Sequence, residues 1–176
     1  MGLTSEKSLI EVNKLYNLCF EANALCDRMS YVLSIKYNMI DFGDWFHHHI
    51  AHYFPSDALA DGIESYGELR GDLFYRGMIP EQNQDWALTS LAIKDFVMKV
   101  AEIEKQCVLA LHTCADNGDE GYEDFLRDLN IKNISPLMKQ ATVFYDAIKS
   151  YEMANDIHKW NKDYKAWIIP QFKGDD

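Results

Sequence analysis

Apolar side chains recur at spacings of three and four along nearly the whole chain, the pattern of helices that each bury one face. In the first segment Ile10, Leu15, Leu18, Ala22, Leu25, Met29, Val32 and Leu33 follow this spacing, which predicts a helix over residues 8–39. Gly43, in the stretch DFGDW, follows it. A second helix is predicted over 44–75, with Asp44 as its N-cap. Pro55 should kink or divide it, because proline removes a backbone donor and its ring clashes with the preceding turn. Gly62, Gly67 and Gly71 weaken the same segment, so tertiary packing must hold it. RGMIPEQNQ reads as a loop. Leu88, Leu91, Ala92, Asp95, Phe96, Val100, Ile103, Cys107, Ala110 and Leu111 mark the face of a third helix over 85–115. DNGDEG is a turn and EDFLRDL a short helix. Ser135-Pro136 reads as an N-cap followed by proline at the first helical position, which starts a fourth long helix, 136–160. Trp160, Trp167 and Pro170 fall in a tail expected to pack as a last short helix.

Strand signals are nearly absent: the sequence has no alternating β-branched runs and no Asn-Gly hairpin turn between apolar stretches. No linker, repeat or low-complexity tract divides it. The expectation is one all-α domain over residues 1–176: a four-helix bundle with an extra short C-terminal helix. The connection between the first two helices is short, so they should be antiparallel neighbours.

Charge narrows the partners. The formal net charge of −11 argues against DNA binding through phosphate neutralisation. Only Lys7 and Lys14 are basic in the first fourteen residues, and the C-terminus reads Gly-Asp-Asp. The same charge attracts cations. No apolar run approaches the ~18 residues that suggest a membrane span, and MGLTSEKSLIEV lacks a signal-peptide core. A cytoplasmic protein with no membrane partner is expected. Cys19 and Cys26, like Cys107 and Cys114, stand seven apart on one helix face. Without any CxxC pair they read as buried free thiols.

The stretch WFHHHIAHYF concentrates candidate chemistry. His47, His48, His49 and His52 are four of the six histidines, and their internal position rules out a terminal tag. Helical bundles build metal sites from inward carboxylates and imidazoles, and the di-iron form uses Glu-x-x-His on two helices. Here only Asp44-Trp-Phe-His47 approximates that pattern. Downstream, Glu64, Glu68 and Asp72 are spaced by four, an acidic stripe with a rise of ~6 Å between neighbours. His49 and His52 precede it on the same predicted helix. Carboxylate with imidazole suits iron, manganese or zinc. The competing account is a solvated acidic face beside a polar helix end. His112, one turn from Val108, reads as a half-buried histidine of the third helix.

The segment from Tyr37 to Glu68, with YNMIDFGDWFHHH followed by Glu64 and Glu68, resembles the Dps family, the mini-ferritins. AIKDFVMKVAEIEKQCVLALHTCADNGDEGYEDFLRDL is similar to that family's third helix and its exit. The likeness covers most of residues 10–150. It implies a ferritin-like bundle assembled as a homo-oligomer, a twelve-subunit shell. Its metal sites would lie at two-fold interfaces, where histidines of one subunit face the acidic pair of the next. Iron, held as a pair, would be oxidised there and stored, protecting against oxidative damage. Carried over, His49 is the second-helix histidine and Glu64 and Glu68 the acidic pair, with Glu68 and Asp72 an alternative register and His48 or His52 the replacement for the missing first-helix ligand. Tyr37 stands where the family places its first-helix histidine, and the acidic pair is Glu-Glu rather than Asp-Glu. A non-catalytic ferritin-like binding or assembly protein with a degenerate, pH-responsive histidine patch is the alternative.

Overall fold

The computed structural model describes residues 3–31, 48–64 and 90–154. The expectations for 32–47, 65–89 and the C-terminal tail lie outside these residues. The fold is all-α, and no strand occurs among the described residues.

Helix α1 spans Glu6–Tyr31 and α3 spans Ser90–Asp116. Between them in sequence come a single 3-10 turn, Ala51–Tyr53, and a short helix α2, Ser56–Glu64. Helix α4, Glu120–Leu129, follows, then a π-helical turn, Asn130–Ile134, and α5, Ser135–Ala154. Helix α3 is the centre of the packing and touches α1, α4 and α5, while α2 rests on α1. Glu11 of α1 faces Gln106 of α3, and Glu21 faces Lys99, so the two long helices run antiparallel.

On α3 the apolar pattern read from the sequence buries from Phe96 to Leu111, with Asp95 exposed; on α1 it buries at Leu15, Ala22 and Met29, while Ile10, Leu18 and Leu25 are half-buried and Leu9, Val12 and Cys19 take the core side. Leu9, Val12, Leu15, Cys19 and Ala22 of α1 meet Ile93, Phe96, Val100, Ile103 and Cys107 of α3 in one core. Leu137, Ala141, Phe144 and Ile148 of α5 close it. Phe96 and Phe144 are fully enclosed, each worth ~1.5–3 kcal/mol of apolar burial. Glycine at position 62 answers a packing demand: a Cβ there would lie 2.8 Å from both Cζ and Cε2 of Tyr122.

The end of α3 is closed by a Schellman arrangement. Gly118 adopts φ 79°, the Asp119 N–H donates to Cys114 O at 2.8 Å, and the Gly118 N–H points at Ala115 O at 3.5 Å. That turn delivers Asp119, which is 4% exposed, to the start of α1. Its Oδ1 accepts from the Thr4 N–H at 2.8 Å and the Thr4 hydroxyl at 2.6 Å, and its Oδ2 from the Ser5 N–H at 3.3 Å. Asp119 precedes α4 but makes no side-chain cap to it. The carboxylate instead holds the first turn of α1, where unpaired N–H groups and the helix dipole favour an anion.

Two proline signals resolve differently. Pro55 divides the predicted second helix outright. Phe54 before it is extended, at φ −64° and ψ 126°, as a residue preceding proline prefers. The start signal at Ser135-Pro136 is overridden: Ser135 is itself helical, at φ −62° and ψ −45°. The chain runs helically from α4 into α5, and the π turn just before Pro136 widens the backbone where the proline ring would strike the carbonyl four residues earlier.

Replacing Asp119 with alanine should lower the unfolding free energy by ~1–3 kcal/mol, read from urea melts at neutral pH. Burial alone would raise the Asp119 pKa, but donation from Thr4, the nearby Ser8 hydroxyl and the Ser5 N–H bring it below the usual carboxylate value. A lowered folded-state pKa means the contribution is complete above ~pH 4 and fades as pH falls through the folded value. The stability gap between wild type and Asp119→Ala should therefore close only in acid; a gap that closes on the alkaline side would contradict the cap. Gly62→Ala should cost ~1–3 kcal/mol by forcing Tyr122 aside, seen as a lower midpoint in the same melts.

Candidate metal centre

The histidine turn is fixed to the core by its apolar members. Ile50 is fully buried, and Ala51, Tyr53 and Phe54 pack partly against the core. Phe54 meets Phe96 of α3 edge to face, with ring centroids 6.2 Å apart. The Asn133 side-chain amide of the π turn donates to Tyr53 O at 3.2 Å. Tyr53 and Phe54 N–H groups close the turn on Ile50 O and Ala51 O, both at 3.2 Å.

This anchoring turns the imidazoles outward together. His48 and His52 are exposed and His49 is half-buried. The His48 ring lies 4.9 Å from that of His49, edge to face, and stacks on His52 at 5.6 Å with 20° between planes. His52 also sits 3.9 Å from the Tyr53 ring. His48, one of the two histidines expected from the sequence to replace the missing ligand, is the one that both other rings approach. Imidazoles gathered this way offer borderline nitrogen donors to a transition-metal ion.

Of the five candidate ligands, His49 and His52 come together on this turn. Glu64 lies on the other side of the Pro55 break, at the end of α2 and exposed. Glu68 and Asp72 lie outside the described residues. Among the described residues, no three His, Cys, Asp or Glu side chains stand close enough to hold a metal ion. The break is the physical reason, because it ends the continuous helix on which the imidazoles and Glu64 were expected to share a side. Two further acidic residues belong to the same edge: Asp57, Asp61 and Glu64 are all exposed on α2, opposite the buried Leu59 and Ile63. Their spacing of four and three was visible in the sequence.

The cysteines do not add to this centre. All four are free and buried. Burial pushes Cys19 and Cys26 well up, and pushes Cys107 up to about 12 with help from Glu104. Cys114 is also raised, chiefly by burial, although Ser8 opposes it. The Cys107 thiol lies 3.7 Å from Leu126 O. Thiols held protonated are poor nucleophiles and poor ligands. His112 is exposed rather than half-buried. No described helix is long and apolar enough to cross a membrane.

The chain matches no protein-family model, no curated protein and no solved structure.

Iodoacetamide at pH 8 should leave all four thiols of the folded protein unmodified and label all four in guanidinium chloride, counted by intact mass. Rapid labelling of any one in the folded state would contradict the burial.

Proposed function

We propose that this chain is a divergent, Dps-like member of the ferritin-like bundles, binding iron at the histidine turn and serving ferrous oxidation and storage against oxidative damage. One observation carries the reading: the His49 and His52 rings lie 4.9 and 5.6 Å from that of His48 in a segment anchored to the core, and, since no three described donors hold a metal by themselves, further ligands would have to join them. The donor chemistry fits. Imidazole nitrogen binds ferrous iron, and carboxylates from Glu64, Glu68 and Asp72 would balance its charge. Iron, when bound, supplies the electrons for reducing an oxidant; the protein's share is to hold it and neutralise it. The outward position of Glu64 suits a site completed between subunits, where the acidic edge of one copy meets the histidine turn of another. A homo-oligomer, twelve subunits by the same likeness, is then part of the function. The net charge of −11 would draw cations toward it.

A second reading has its own support. No three donors converge among the described residues, and the Glu-x-x-His pattern is missing. These favour a non-catalytic ferritin-like protein that binds or assembles through a degenerate site. Zinc or manganese would suit the same donors.

Metal analysis of the purified protein, followed by aerobic and peroxide-driven ferrous oxidation, separates the readings. The iron reading expects bound iron and oxidation that falls about tenfold or more in a His49→Ala, His52→Ala variant and in a Glu64→Ala, Glu68→Ala variant. Oxidation equal in wild type and both variants removes it. Metal bound without oxidation selects the second reading.

A further inference from the structure

Helix α3 carries a second pattern on the side turned away from the core. Asp95, Met98, Glu102, Lys105, Leu109 and His112 follow at alternating spacings of three and four, and all six are exposed. Met98 is 54% exposed, Leu109 52% and the flanking Val108 42%. Alternating three and four is the 3.5-residue period of a helix-pairing seam. Beside the stripe runs a groove of about 480 Å³, lined by Leu18 of α1 and by Glu102, Lys105, Gln106, Val108, Leu109 and His112 of α3. The α3 residues form two overlapping sets at i, i+3, i+4 and i+7: 102, 105, 106, 109 and 105, 108, 109, 112. Four residues so spaced make the hole that accepts a knob from a facing helix.

We propose that this face is a self-association seam, in which a second copy of the chain lays its α3 antiparallel across α3 about a two-fold axis between residues 103 and 104. The sequence sets that register. It places Met98 against the partner's Leu109, Glu102 against the partner's Lys105, and Asp95 against the partner's His112. Two-fold symmetry repeats each pairing, as an isologous interface requires. The partner's Met98 then enters the hole formed by Lys105, Val108, Leu109 and His112. Competing arrangements lose these matches. Sliding by one heptad sets Met98 against Asp116 or Glu102, and a parallel in-register pair sets Glu102 on Glu102 and Lys105 on Lys105. Self-complementarity in both charge and apolar positions points to another copy of this chain rather than an unrelated partner. The stripe carries its acids, Asp95 and Glu102, in its first half and Lys105 and His112 in its second, although the whole chain carries −11. About 18 helical residues give a seam of ~27 Å, smaller than a standard stable interface, so association in the micromolar range is expected.

Sedimentation velocity on the full chain, from about 1 to 200 µM in chelator, tests the seam independently of any metal. The expected result is concentration-dependent self-association whose first step is the dimer, the two-fold unit from which a larger shell would be built. Glu102→Lys or Lys105→Glu alone should weaken it at least tenfold, and Met98→Glu likewise. The double reversal Glu102→Lys, Lys105→Glu should restore it to within about threefold, because each new charge meets its new opposite. These positions are exposed, so circular dichroism should show unchanged helix in every variant. A monomer across the whole range, or an assembly indifferent to the single reversals, overturns the proposal.

Discussion

The buried carboxylate of Asp119 joins the two ends of the antiparallel α1–α3 pair, and the rest of the arrangement follows from that junction. Its hydrogen bonds reach across 115 positions of sequence to Thr4. A buried carboxylate without partners would be costly. Here the N–H groups of Thr4 and Ser5 and the Thr4 hydroxyl receive it. Those groups would otherwise be unmet donors at a helix start. Two potential penalties cancel at one point, and the cancellation works only if the loop after α3 is tight. Gly118 at φ 79° makes it tight. The register of α1 on α3 is thereby set at one end, and the contact of Gln106 with Glu11 extends it along the pair.

Helix α3 then works as a post with different business on different sides. Its inner residues fill the core with α1 and α5, and its N-terminal half supports the histidine turn through Phe96. The π turn performs the matching task from the far side. It carries the chain past Pro136 without ending the helix, and that continuity places Asn133 where it can hold Tyr53 O. The histidines are thus presented by contacts made elsewhere in the sequence. His52 lies on the 3-10 segment, which has no side-chain cap, and His48 and His49 on the helical residues just before it, so local structure supplies little.

The long helix α3 was legible because it buries the apolar residues that the pattern marks, and α1 was legible as a helix although its core side is Leu9, Val12, Leu15 and Cys19 rather than Ile10 and Leu18. The free, buried state of Cys19, Cys26, Cys107 and Cys114 was legible for the same reason, since spacing by seven keeps each pair on the core side. Two things were not legible. Ser135-Pro136 looks like a helix start, but burial of Ile134 and Leu137 on either side favours carrying the helix through, and a π turn absorbs the proline. Asp119 was read only as part of the turn DNGDEG, and nothing local signals the partners that tertiary structure gives it at Thr4 and Ser5. In the candidate metal centre the clustering of imidazoles was written in the sequence. The direction of Glu64 was not, because it depends on how Pro55 breaks the chain rather than on whether it does. His112 was read from its neighbour Val108 as half-buried, yet both stand on the exposed side of α3.

The acidic edge of α2 and the outer stripe of α3 lie on different helices, and electrostatics would still link them. Each copy carries −11, so bringing two together concentrates negative charge. A cation taken up at the acidic edge or the histidine turn reduces that repulsion, whichever metal it is. Coupling of this kind is reciprocal: if bound cation favours association, association must favour bound cation by the same factor. The effect would weaken with salt over a Debye length of ~8 Å at physiological ionic strength, unlike the short-range pairing of Glu102 with the partner's Lys105. Long-range repulsion and local complementarity therefore act in opposition. A seam that sets the Glu102 carboxylate of each copy against the partner's Lys105 lets two acidic chains meet there without opposing like charges.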